Sequence, residues 1–195
     1  MTDERLDAAF ARIDEANAQD PNLERLDGQD FPKELLYGRR MSATLAMFAP
    51  EADDAVKLAA RAQHVQRWKI PRSDFPMDRK GYLAWRQKLY GMHAELAGEI
   101  LREVGYDDAT IARVGTLLRK KGLKTDPDVQ LLEDVICLVF LEHYFADFSV
   151  KHDDAKVIDI LRKTWAKMSP RGHEAALALP MGEERRLVER ALAPD

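Results

Sequence analysis

The sequence predicts an all-α protein, and three observations carry that prediction. Almost every apolar periodicity along the 195 residues has helical spacing. No stretch sustains the alternation of β-branched residues that marks a strand, so no strands are expected. The breaks carry helix-start chemistry, as in Asp126-Pro127 and Ser169-Pro170, where a capping side chain precedes a proline suited to the first helical position. About eight or nine helices are expected. They would form a single helical domain over residues 1–195, with 168–195 as a C-terminal helical extension packed on it.

Residues 3–17 place Leu6, Phe10 and Ile13 among acids and alanines, an amphipathic first helix. The stretch 20–32 is rich in Asp, Pro and Gly and reads as loop. Helix 33–49 turns Leu35, Leu36, Met41, Leu45 and Phe48 inward and stops at Pro50. A helix is expected over 52–68, then a two-proline loop over 69–78. Asp78 caps 79–104, with Tyr82, Trp85, Leu89, Leu96 and Ile100 inward. Gly105 ends that helix, and Asp107 or Asp108 caps 109–120. The segment 127–148 is the most apolar and is expected to be the central helix. Helices over 153–168, 170–179 and 182–192 complete the chain.

Composition narrows the function classes. Lys plus Arg number 30 and Asp plus Glu 34, a formal net charge of −4. General attraction to nucleic acid or to an anionic membrane is therefore not expected, although a local basic pocket is compatible. No apolar run reaches the roughly 20 residues that span a bilayer, and MTDERLDAAF lacks the features of a signal peptide. The single cysteine, Cys137, excludes an internal disulfide, fits a reducing compartment and reads as core filler. A cytoplasmic protein is expected.

The stretch LAARAQHVQRW (58–68) holds the main local contradiction. Its small residues suit burial, yet Arg61, His64 and Arg67 follow at three-residue steps and would share one helical face. His93, in HAELAG, also sits among small residues. Glu133-Asp134 opens the most apolar helix. Two placements fit: the first-turn surface, favoured by the helix dipole, or an inward position that requires a cation, a metal or strong donors. In the second, His64, His93 and Asp134 make a two-histidine, one-carboxylate set suited to manganese, iron or zinc, with a bound water as candidate nucleophile. Candidate phosphate-binding cations are Arg40, Arg61, Arg67, Arg72, Lys121, Lys163 and Lys167. The segment KTWAKMSPRGH adds His173 beside a capped helix start. The sequence has no Walker-type loop, no GxSxG, no HExxH and no Glu-x-x-His pair.

The strings PKELLYGRRM, ARAQHVQRWKIPRSDFPMDRKGYLAWR, HAELAGEILREVGYDD, LEDVICLVFLEHYFADF and KTWAKMSPRGH resemble the DUF4202 family over most of the chain. HAELAGEILREVGYDDATIARVGTLL, followed by LED, is more distantly similar to HD-domain phosphohydrolases. That resemblance implies an all-helical, HD-like fold with a metal held by histidines and aspartates. It puts His64 at the paired His, His93 at an accessory His and Asp134 at the final Asp. The pattern departs where Tyr37, Gly38, Arg39 and Arg40 replace the first His and Val65 replaces the paired Asp. Lys120 and Lys121 stand where a later His often lies.

Two functions are expected from this reading. The first is a metal-assisted phosphohydrolase for a small phosphate ester or nucleotide. Glu133 would orient the water or act as base, and Arg67 and Lys121 would act on the phosphate. The second is a catalytically degenerate HD-like module that binds an anionic, phosphate-bearing ligand or a protein partner. In either, Arg40, Arg61, Arg72, Lys163, Lys167 and His173 are candidate ligand-binding residues.

Overall fold

The structure, a computed structural model, describes residues 2–193, with side chains from Glu4 onward. The all-α expectation holds: ten α-helices and two single-turn 3-10 segments carry the described residues, beside one short hairpin. The chain divides into two compact units, Met1–Gly122 and Leu123–Asp195. Among the described residues no helix is long and apolar enough to cross a membrane.

In the first unit, α1 (Thr2–Asn17) and the hairpin β1 (Leu23–Leu26) and β2 (Gln29–Pro32) lead into α2 (Lys33–Phe48). Then come α3 (Asp54–Arg61), α4 (Arg79–Glu103) and α5 (Asp108–Leu118). Asp53, Asp78 and Asp107 cap α3, α4 and α5 by accepting from the N–H groups of Val56, Gly81 and Thr110. Helix α5 packs on α4 and on α3, and α3 packs on α2. The shared core includes Ile13, Met41, Leu58, Leu89, Leu101, Leu117 and Leu118, all nearly inaccessible. Burial of this kind stabilises by about 1.5–3 kcal/mol per large side chain.

In the second unit, α6 (Pro127–His143), α7 (Phe145–Val150), α8 (Asp154–Trp165), α9 (Pro170–Ala178) and α10 (Arg185–Leu192) follow. Asp126 and Ser169 cap α6 and α9, each with proline in the first turn, as the sequence predicts. Helix α10 packs on α8, and α9 on α6. Cys137 is a buried thiol of α6 and forms no disulfide.

Four expectations are corrected. The stretch 20–32 contains strands: Asp27 and Gly28 both adopt positive φ, 50° and 81°, the conformation of an Asp-Gly hairpin turn, and Leu26 pairs with Gln29 across it. The helix expected over 52–68 ends at Arg61. Beyond it the chain turns, and Gln66 is left-handed at φ 52°, ψ 33°. The segment 127–148 is two helices, broken at Tyr144 (φ −126°). Tyr82, expected inward, is 46% exposed.

The loop 69–78 folds closely onto the start of α4. An ideal Cβ at Gly81 would lie 2.0 Å from the Pro76 carbonyl oxygen. Gly81→Ala is therefore expected to destabilise the protein by about 1–3 kcal/mol, although alanine is the better helix former by about 1 kcal/mol. A lower urea midpoint at unchanged m-value checks this; an unchanged midpoint contradicts it.

Candidate functional site

The first unit gathers its polar interior where the end of α1 meets the start of α2. Asp20 accepts from the Glu34 backbone N–H at 3.0 Å. Asn17, 1% exposed, donates its amide to the Glu34 carbonyl at 3.3 Å and accepts from the Gln66 backbone N–H at 2.9 Å. Gln66 thus finds its acceptor in a side chain of α1 instead of in a preceding helical turn. This holds in place a left-handed residue, a conformation costly for most side chains. One buried amide fixes the backbone of Glu34 against that of Gln66.

The side chains on these segments form a chain of contacts. Glu34 Oε2 lies 3.1 Å from His64 Nδ1, and Arg67 Nη1 lies 2.7 Å from His64 Nε2. The same Nη1 lies 3.4 Å from Nδ1; arginine can only donate, so the closer nitrogen, Nε2, accepts and Nδ1–H is donated to Glu34. The tautomer follows from the partners. Tyr37 stacks on the imidazole, with ring centroids 4.0 Å apart and planes 12° from parallel. The Arg67 guanidinium lies 5.0 Å from the Trp85 ring centroid, and Trp85 is anchored by its indole N–H to the Ile70 carbonyl at 2.9 Å.

His93, on α4, completes the group. Its ring centroid lies 5.9 Å from that of His64. It is 2% exposed, and neither ring nitrogen has a hydrogen-bond partner. Two helical turns before it, Arg86 donates to the hydroxyl of Tyr90, one turn before it, at 2.7 Å, and Lys120 lies 5.8 Å from the Tyr90 ring centroid.

Burial and positive charge set the protonation. Burial pushes the Glu34 carboxyl up to about 7, with Arg67 and Lys33 pulling the other way. Burial, then Arg67, Arg86, Lys120 and Lys33, hold His64 well below the usual imidazole range. Burial, then His64, Arg67 and Arg86, do the same for His93. Burial also lowers Arg67, with Glu34 opposing it. Both imidazoles are therefore neutral near pH 7, in surroundings where cations outnumber acids.

A sequence model of the family described as "Domain of unknown function (DUF4202)" matches residues 7–188. The chain belongs to the DUF4202 family. No curated protein and no solved structure matches it.

In this DUF4202 chain the sequence candidates separate. His64, Arg67 and His93 come together. Arg61 is committed elsewhere: it donates to both Asp14 oxygens at 2.7 and 2.6 Å. Arg40 pairs with Glu24 of β1. Arg72 donates to the carbonyls of Phe75 and Pro76 at 2.9 and 2.7 Å and so shapes the 69–78 loop. Lys121 is exposed; Lys120 is the cation that acts on His64. In the second unit, Lys163 pairs with Asp159 at 2.6 Å on the surface, and Lys167 approaches buried Glu133 at 3.8 Å. His173 stacks on Trp165 at 3.9 Å, with Nε2 donating to the Trp165 carbonyl at 2.9 Å. These contacts give each of these side chains a local role.

Of the expected metal set, His64 and His93 belong to the first unit and Asp134 to the second, where it has its own partners. Among the described residues, no group of three or more His, Cys, Asp or Glu side chains could hold a metal ion. Asp134 Oδ1 accepts from the Ser169 N–H at 2.8 Å and from Gln130 Nε2 at 3.2 Å, and Oδ2 accepts from the Ser169 hydroxyl at 2.5 Å. It secures the start of α9, where an ideal Cβ at Gly172 would sit 2.7 Å from its Oδ1. On His64, Arg67 takes the nitrogen a metal would need. Asn17, Glu34 and Arg86 are the site residues the sequence reading missed, and Tyr37 was noted there only as a departure. A first-turn Glu has an ordinary helix-dipole explanation, and nothing local marks Asn17.

Asn17→Ala is expected to cost about 1–3 kcal/mol by orphaning the Gln66 N–H and removing the side-chain donor from the Glu34 carbonyl. Adding Gln66→Gly, which removes the left-handed strain, should recover part of that loss in urea melts. The second expectation concerns pH. Between about 4.5 and 7 the folded protein binds a proton at Glu34 that the unfolded chain releases, so this group lowers stability as pH rises through that window. The two histidines act in the opposite sense, because their protonation favours the unfolded chain. Glu34→Gln should therefore gain stability relative to the parent from pH 4.5 to 7, by on the order of 3 kcal/mol, and level off above 7. A parallel pair of stability–pH curves contradicts this.

Proposed function

We propose that this DUF4202 protein binds a small phosphate-bearing anion at the Glu34–His64–Arg67–His93 cluster of its first unit. The observation that carries the reading is His93, a buried imidazole with neither nitrogen hydrogen-bonded, in the field of the Arg67 guanidinium. An unpaired buried polar group costs about 1–3 kcal/mol. Such groups persist where a ligand completes them. The sign of the ligand follows from the charges. Beyond burial (the largest cause), Arg67, Arg86, Lys120 and Lys33 depress His64, and His64, Arg67 and Arg86 depress His93; one acid, Glu34, faces these cations, and burial raises it to about 7. An anion relieves that imbalance, and guanidinium recognises phosphate in two-pronged fashion. Arg67 at present spends a donor on neutral His64, a weaker acceptor than phosphate.

The phosphohydrolase expected from the HD-like motifs stands as a second reading, favoured by the Glu34–His64 hydrogen bond, which fixes an imidazole tautomer as acid–base sites do. It is separated from simple binding by assaying release of inorganic phosphate from bound esters.

Binding is tested by calorimetry and thermal melts with inorganic phosphate and pyrophosphate as probes. Saturation at 100 times Kd should stabilise the fold by about 2.7 kcal/mol. Arg67→Ala should weaken affinity roughly 10- to 100-fold, the loss of a charged hydrogen bond. If neither probe shifts the melting temperature, the anion reading is wrong.

A further inference from the structure

The hydrogen-bonding inventory of the cluster restricts the ligand further than its charge does; the step rests on the anion reading above. A neutral imidazole offers one N–H donor and one lone pair. Both are unmet on His93, which is 2% exposed. A fully ionised phosphate ester group presents acceptors only. It can satisfy Arg67 and the His93 N–H, and it leaves the His93 lone pair without a donor. No cation supplies that donor: a ligand ammonium would meet Arg67 and Arg86, the charges that already act on His93. A neutral O–H carried by the ligand would supply that partner.

His64 cannot substitute for His93 in this role. Its Nδ1–H is held by Glu34 at 3.1 Å and its Nε2 by Arg67 at 2.7 Å. When a phosphate draws Arg67 away, His64 Nε2 becomes a second lone pair needing a donor, so one ligand hydroxyl has two acceptors within reach of the same centre, their rings 5.9 Å apart. Glu34 adds a carboxyl at the far side of His64. The site is thus rich in acceptors beside its cations. That pattern suits a polyol phosphate better than an alkyl phosphate.

We propose that the ligand is a phosphate monoester of a hydroxylated carbon chain, with its phosphate on Arg67 and a hydroxyl on His93. Glycerol phosphate and propyl phosphate are the matched probes: three carbons and one phosphate each, with and without hydroxyls. Calorimetry on the full chain should find glycerol phosphate at least about tenfold tighter. In His93→Phe the ratio between the two should collapse toward one. In His93→Gln, whose amide keeps a donor and an acceptor, part of the ratio should survive. Equal affinity of the parent protein for the two probes overturns the hydroxyl assignment and leaves the anion reading standing. Absence of binding by either, together with no response to inorganic phosphate, removes the anion reading itself. Should His93→Phe fail to fold, as read by circular dichroism, the parent protein and His93→Gln decide the question.

Discussion

The rest of the site depends on one chain of contacts, Arg67 to His64 to Glu34. It is short, largely desolvated, and has only one self-consistent proton assignment, because guanidinium cannot accept. Each member constrains the next. Burial and then Arg67 keep His64 neutral, His64 donates its one N–H to Glu34, and burial raises the Glu34 carboxyl to about 7. Low dielectric strengthens such a chain and equally raises the cost of any member left unmatched. His93 lies outside the chain, so the unmatched cost falls on it.

The backbone that presents these side chains is set from a distance in sequence. Asn17, at the end of the first helix, holds the Glu34 carbonyl and the Gln66 N–H with one amide group. The left-handed Gln66 ends the run that began as α3 and carries Arg67 onto Trp85. Had α3 continued, Arg61, His64 and Arg67 would share a face. As built, Arg61 turns to Asp14 and only the other two enter the site. A strained residue held by a buried partner is a common way to aim side chains that a regular helix would splay apart.

The second unit shows how a promising motif can have a structural use. Glu133-Asp134 is buried, as the inward alternative from the sequence required. Asp134 finds its strong donors in Ser169 and Gln130. Gly172 leaves room for that carboxylate. A buried acid needs donors, and the start of a neighbouring helix supplies them as well as an ion does.

Helical periodicity, aspartate caps and Asp-Pro or Ser-Pro starts determined, from the sequence by itself, the all-helical class and most helix beginnings. These are local properties: apolar spacing and capping act within one or two turns. The same local signals marked His64, Arg67 and His93 as residues out of place. Only the tertiary structure decided which of the nominated groups meet. Glu34 and Asn17 join His64 from 30 and 47 residues away, Arg61 is diverted to Asp14, and Asp134 to Ser169. Those outcomes depend on which distant donor or acceptor first satisfies a buried group, and no spacing along the chain encodes that competition.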